Sequence, residues 1–218
     1  MSVKIWQDSR SDIDIDSIKK NNEDYILLNQ KHINYINNYL KSFVINKKEY
    51  KIFEPWSWFW AGSYFLSKKN NNFKMTLLDY DDKLINNLQE VYKGNNQFSL
   101  KYWDMFNIDL PNESFDFIYN AWVIEHFNYK QRLNIFKEYS KVLKKWWYMF
   151  IVIPNHYNLI YKLFYLTANI LWKWKVAKEY SIYSLKKECS LLGLEFVERK
   201  TFIENSVYWM LTLLIIKK

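Results

Sequence analysis

Asp79 closes the apolar run Phe73–Asp79, where an acidic side chain can accept hydrogen bonds from both hydroxyls of a ribose. A lone aspartate at that place can also serve only the turn. Asp104 follows a second run, Gln97–Tyr102, and Glu54 closes a third, Tyr50–Glu54. His126, preceded by Glu125, and His156 each follow an expected strand end, where an imidazole can take a proton from an acceptor hydroxyl. A histidine in such a loop is as often structural as catalytic, and Glu125 either orients His126 or faces solvent. The chain has no Ser-His-Asp arrangement and no glycine-rich phosphate loop, and its three histidines are too scattered to form a metal site. Cys189 is the only cysteine, which excludes an intramolecular disulfide and any multi-cysteine metal site and fits a reducing cytoplasm.

The aromatic residues around these acids are unusual. The chain of 218 residues holds 11 tryptophans and 3 glycines, against an average glycine usage of about 7 %. Trp56, Trp58 and Trp60 alternate in Glu54-Pro55-Trp56-Ser57-Trp58-Phe59-Trp60, Trp103 precedes Asp104, Trp122 lies in Asn120-Ala121-Trp122-Val123-Ile124-Glu125-His126, and Trp146-Trp147 follow Lys144-Lys145. Leu110-Pro111 leads to Phe115-Asp116-Phe117-Ile118. With glycine read at those seven tryptophans, the chain resembles a class I S-adenosylmethionine-dependent methyltransferase of the small-molecule type from about Tyr50 to Ile153. Basic residues are almost all lysine, and Asn, Ile, Tyr and Phe are abundant, as in an A/T-rich gene. A code in which UGA means glycine accounts for both facts; an aromatic-rich protein with genuine tryptophans is the alternative.

The resemblance implies a cofactor site made by Glu54, Trp56, Trp58 and Trp60 after the first strand, Asp79 and Tyr80 after the second, Asp104 and Met105 after the third, and Asn120 on the fourth. Asp79 would hold the ribose, Asp104 and Met105 the adenine, and the glycine-like loop the methionine moiety. Glycine there lets the backbone approach a ligand without a Cβ in the way. Literal indoles at those positions would strain the backbone and fill the cofactor's space, leaving a cofactor-dead scaffold. His126 and His156 are the candidate bases. Positions 56, 58 and 61 also read as a tolerable dinucleotide fingerprint once glycine is restored, which keeps an NAD-dependent oxidoreductase as a competitor. That motif alone is weak.

These residues need an alternating scaffold. A helix is expected from near Asn29 to Phe43, a strand over Tyr50–Glu54, a helix over Ala61–Lys69 and a strand over Phe73–Asp79. Leu84, Ile85, Leu88, Val91 and Tyr92 mark a helix stopped by Gly94, and strands follow at Gln97–Tyr102 and Phe115–Tyr119. Leu133, Phe136 and Leu143 lie along the next helix, then comes a buried strand, Tyr148–Ile153. Ser184 caps a helix carrying Leu185, Cys189 and Leu192, ended by Gly193, and Phe196–Thr201 and Val207–Ile216 give two last strands. This pattern predicts an α/β, Rossmann-like, doubly wound sheet of seven mostly parallel strands with an antiparallel last strand. Residues 1–48 form a helical N-terminal extension and 49–218 the Rossmann-like domain.

Residues 154–183 do not fit the alternation. Tyr157, Ile160, Tyr161, Phe164, Tyr165, Ala168 and Leu171 make an aromatic helical face, read either as an added core helix or as a lid over a substrate pocket. Weak interfacial membrane contact is a third reading. No apolar run is long enough to span a membrane, and Met1–Asp16 has no apolar core of an export signal. The net charge of +8 comes from lysines spread along the chain. Codon bias explains them as well as a nucleic acid would, so a small-molecule methyl acceptor is expected, with RNA, tRNA or rRNA, as the alternative partner.

Overall fold

The computed structural model describes residues 14–28, 30–43, 48–56, 61–171, 178–203 and 210–218. In chain order the elements are α1 (Ile15–Leu28), α2 (Gln30–Phe43), β1 (Tyr50–Pro55), α3 (Ala61–Lys69), β2 (Phe73–Asp79), α4 (Asp82–Val91), β3 (Phe98–Tyr102), β4 (Phe115–Ala121), a 3₁₀ turn at Ile124–His126, α5 (Tyr129–Val142), β5 (Leu143–Pro154), α6 (Leu159–Leu171), α7 (Lys186–Leu191), β6 (Glu195–Ile203) and β7 (Met210–Lys217). The strands form one seven-stranded sheet in the order β3-β2-β1-β4-β5-β7-β6. β1 to β5 pair in parallel, while β7 runs antiparallel to both β5 and β6.

Apolar residues on both faces of the central strands make that order stable. Every residue of β4 is buried, as a parallel strand covered by helices on both sides requires. Along β5 the faces alternate: Met149, Ile151 and Ile153 join the core beneath α5 and α7, and Phe150 and Val152 the core beneath the other helices. The first core takes Ile135, Phe136 and Tyr139 from α5 and Leu185 and Cys189 beside and within α7. The second takes Ile18 from α1, Ile33, Ile36 and Leu40 from α2, Phe65 and Leu66 from α3, and Leu84, Ile85 and Leu88 from α4. The N-terminal helices are therefore part of the sheet's own packing.

Helix ends follow local chemistry. Asp81 caps α4 by accepting from the Leu84 amide at 3.1 Å, and Asn128 and Gln131 form a reciprocal capping box on α5. Three expectations change. Leu143 is the first residue of β5 rather than a helical position, because the chain turns extended there and pairs with Phe115. The cap of α7 is Leu185, and the Ser184 hydroxyl accepts from the Lys186 amide at 3.1 Å instead of capping the helix proper. Within the helical extension expected over residues 1–48, α1 is a further helix ahead of the one expected from near Asn29. Part of the last expected strand, 207–209, lies outside the described residues.

Candidate active site

The parallel strands bring the predicted residues to their C-terminal edge, where open α/β sheets bind ligands. Glu54 is fully buried and accepts a hydrogen bond from the Ser63 hydroxyl of α3. Asn120 donates its side-chain amide to the Pro55 carbonyl at 2.7 Å, tying the end of β4 to the end of β1. Asp79 is also fully buried, and one of its oxygens accepts from the Asp81 amide at 3.0 Å. Tyr80 is partly exposed beside it, its ring stacked on Tyr102 at 5.6 Å. Asp104 turns the chain after β3 by accepting from the Phe106 amide at 2.9 Å, and Met105 is buried in the first core. Trp58 and Trp60 lie outside the described residues.

The tryptophans fall into two groups. Trp56, Trp122 and Trp146 have φ angles of 52°, 60° and 70°, in the left-handed region that a bulky L-residue avoids and glycine enters freely. They share that region with only Glu113 among described residues other than glycine. Trp103 and Trp147 have ordinary backbones. The Trp103 indole donates to the Asn107 carbonyl at 2.6 Å, and the Trp147 ring stands edge-on to Phe117 at 4.9 Å and Tyr50 at 5.9 Å.

A second group of polar side chains collects where β4 and β5 end. Glu125 is fully buried, and neither of its oxygens has a hydrogen-bond partner among the described residues. Burial, and then the nearby Glu179 carboxylate, push its pKa well above the ordinary value. The Glu125 carbonyl receives the Tyr180 amide at 2.6 Å, and His126 Nδ1 lies 3.4 Å from the Lys178 carbonyl. Residues 178–182 therefore run as a strap across the β4 loop. The strap also meets His156, whose Nδ1 lies 3.2 Å from the Ile182 amide while its Nε2 faces Glu179 at 3.8 Å. Tyr161 of α6 donates its hydroxyl to Glu179 at 2.7 Å.

α6 therefore turns Tyr161 inward, and Tyr165 accepts from the Glu179 amide at 3.0 Å. Leu159, Leu163, Leu166 and Ile170 are exposed on the helix's outer side. Phe164, Ala168 and Leu171 lie on α6 with side chains outside those described. Sequence reasoning found Glu125, His126 and His156 but missed Glu179, which is brought in by the strap and has no spacing signal of its own.

Residues 61–146 match the family described as a methyltransferase domain. The matched stretch runs from α3 into the start of β5. No curated protein sequence matches it. Among solved structures, magnesium protoporphyrin IX methyltransferase from Synechocystis PCC 6803, with bound S-adenosylhomocysteine, superposes with a TM-score of 0.68 at 11% identity, over 99% of this chain and 93% of that one. A SAM-dependent methyltransferase from Aquifex aeolicus gives 0.60 at 16% identity, over 94% and 100%. The N-methyltransferase NodS from Bradyrhizobium japonicum WM9 gives 0.59 at 16%, over 87% and 86%.

The methyltransferase uses S-adenosylmethionine, and its edge fits that cofactor in part. The buried acids Glu54 and Asp79 end adjacent strands β1 and β2, and Asp104 follows β3. The Trp56 indole does not fit. It is 7% exposed, packs against Phe127 at 5.5 Å and shares a core with Leu78 and Met105, filling the mouth of β1. Glycine at 56 would remove that indole.

Proposed function

We propose that this methyltransferase acts on a small, partly apolar acceptor, and that its working form carries glycine at 56, 58, 60, 103, 122, 146 and 147, through UGA codons read as glycine. The left-handed backbone at Trp56, Trp122 and Trp146 is the observation that carries the second half. Each such residue costs about 1–2 kcal/mol with a side chain and little with glycine. In that form Asp79 holds the ribose, Asp104 with Met105 the adenine, and Glu54, Tyr80 and Asn120 complete the wall. The bound cofactor supplies an electrophilic sulfonium methyl group.

Both candidate bases meet the strap through Nδ1, and His156 turns its Nε2 toward Glu179 at 3.8 Å. The small-acceptor reading is supported by the edge itself, where the inward side of α6 and the strap cover the ends of β4 and β5 with tyrosines. Residues 154–183 would then act as the acceptor lid.

Three measurements test the proposal. The codon at position 56 should be UGA, and UGG there sinks the recoding. By calorimetry, the seven-glycine variant should bind S-adenosylhomocysteine and the tryptophan chain should not. In the glycine form, Asp79→Ala should weaken binding by about 1.5–3 kcal/mol; unchanged affinity removes Asp79 from the site. Label transferred from S-adenosylmethionine mainly into tRNA or rRNA would replace the small acceptor with an RNA.

A further inference from the structure

The cluster at the ends of β4 and β5 is more acidic than its protein partners can balance. Glu125 is fully buried, neither of its carboxyl oxygens makes a well-formed hydrogen bond among the described residues, and the Val123 and Glu125 amides offset little of its burial; Glu179 receives the Tyr161 hydroxyl at one oxygen. No lysine or arginine among the described residues pairs with either one. His156 Nε2 also has no hydrogen-bond partner, and it stops 3.8 Å from Glu179. A buried carboxylate without a partner is costly, and a second one nearby raises that cost. Two other buried acids do face a cation: Arg132 meets Glu188 at 2.8 Å and Lys144 meets Asp116 at 2.7 Å.

Resting on the small-acceptor reading, we infer that Glu125 and Glu179 receive a protonated amine of the methyl acceptor, with Tyr161 and His156 beside it. An ammonium group brings both the positive charge and the several N–H donors that two acceptor-only carboxylates lack. A neutral hydroxyl would satisfy one oxygen and leave the charge uncompensated. A carboxylate or phosphate would add to the repulsion. A metal ion is a poorer match, because no three His, Cys, Asp or Glu side chains among the described residues are arranged to hold one. The tyrosine rings of α6 suit a cation as well: Tyr161 and Tyr165 stack at 6.4 Å, and the Tyr161 ring is edge-on to His156 at 6.2 Å. With the ammonium between them, the two carboxylates are also placed to take the proton that the nitrogen must lose before its lone pair is nucleophilic.

The test compares three probes of one shape, benzylamine, benzyl alcohol and benzoate, by calorimetry and thermal shift on the full chain in its tryptophan and seven-glycine forms. Benzylamine should bind and raise the melting temperature, and the alcohol and the acid should not. Glu125→Gln and Glu179→Gln, which keep side-chain shape, should each weaken benzylamine binding about 10–100-fold, the scale of a lost charge-assisted hydrogen bond. Tyr161→Phe should weaken it less. Equal binding of the amine and the alcohol, or unchanged amine binding in both Gln variants, overturns the inference. S-adenosylhomocysteine binding in the glycine form separates the two failures. Cofactor bound without amine selectivity leaves the methyltransferase reading intact, whereas no cofactor binding removes the reading on which the amine site rests.

Discussion

At the scale of single residues, the order of Ala and Gly substitutions is diagnostic. At an ordinary backbone position alanine is more stable than glycine by about 0.5–1 kcal/mol. At Trp146, with φ of 70° and its ring exposed, the order should reverse, Trp146→Gly exceeding Trp146→Ala by about 1 kcal/mol. Trp147 has ordinary φ and a packed ring, so Trp147→Gly should cost about 3 kcal/mol or more, and Trp147→Ala less than that. Urea unfolding of the four variants reads this directly, and alanine beating glycine at 146 would show that no strain is stored there. The same residues show what the sequence makes legible. Asp79, Asp104 and Glu54 could be placed because each sits at a fixed point relative to a strand, and strands can be read from apolar runs. Glu179 could not, because a loop brings it to Tyr161 with no periodicity linking the two.

At the scale of elements, the approach of α3 to the sheet depends on one glycine. A Cβ at Gly62 would overlap the ring of Tyr119 on β4, which is itself buried. Glycine-to-alanine changes inside helices ordinarily stabilise. Here the sign should invert, with Gly62→Ala losing about 1–3 kcal/mol by overpacking. Chemical denaturation checks it, and a stabilised variant would mean that α3 sits farther from β4 than described. The elements themselves were largely legible, since β-strands and α4 have clean apolar periods. α1 was not, because Ile15–Leu28 is mostly polar and becomes helical through tertiary packing of residues such as Ile18. The end of α5 was misjudged at Leu143 because an apolar residue suits a helix face and a buried strand equally well.

At the scale of the whole molecule, the lone thiol reports on global opening. Cys189 sits in the first core, and burial pushes its pKa up from 9.0 to about 12. A thiol that holds its proton more tightly when folded favours the folded state less as pH rises above 9.0 and towards about 12. Between pH 7 and 9 the native thiol should stay protonated and react slowly with iodoacetamide. Its labelling should follow the unfolded fraction across a urea titration. Rapid labelling without denaturant would place Cys189 at a locally open surface. The fold class was legible at this scale because strands and helices alternate, and the position of β7 between β5 and β6 was not, since chain order does not specify sheet order.

That position has a consequence for how the chain is made. β6 leaves the ribosome before β7, yet among the described residues its one sheet partner is β7, and β7 must insert beside β5. Until it arrives, the edge of β5 carrying Phe150, Ile151 and Val152 lies open, and β6 has nothing to pair with. A nascent chain paused after β6 therefore displays an unpaired apolar strand. Synthesis of this protein passes through a sticky interval that closes only when β7 emerges.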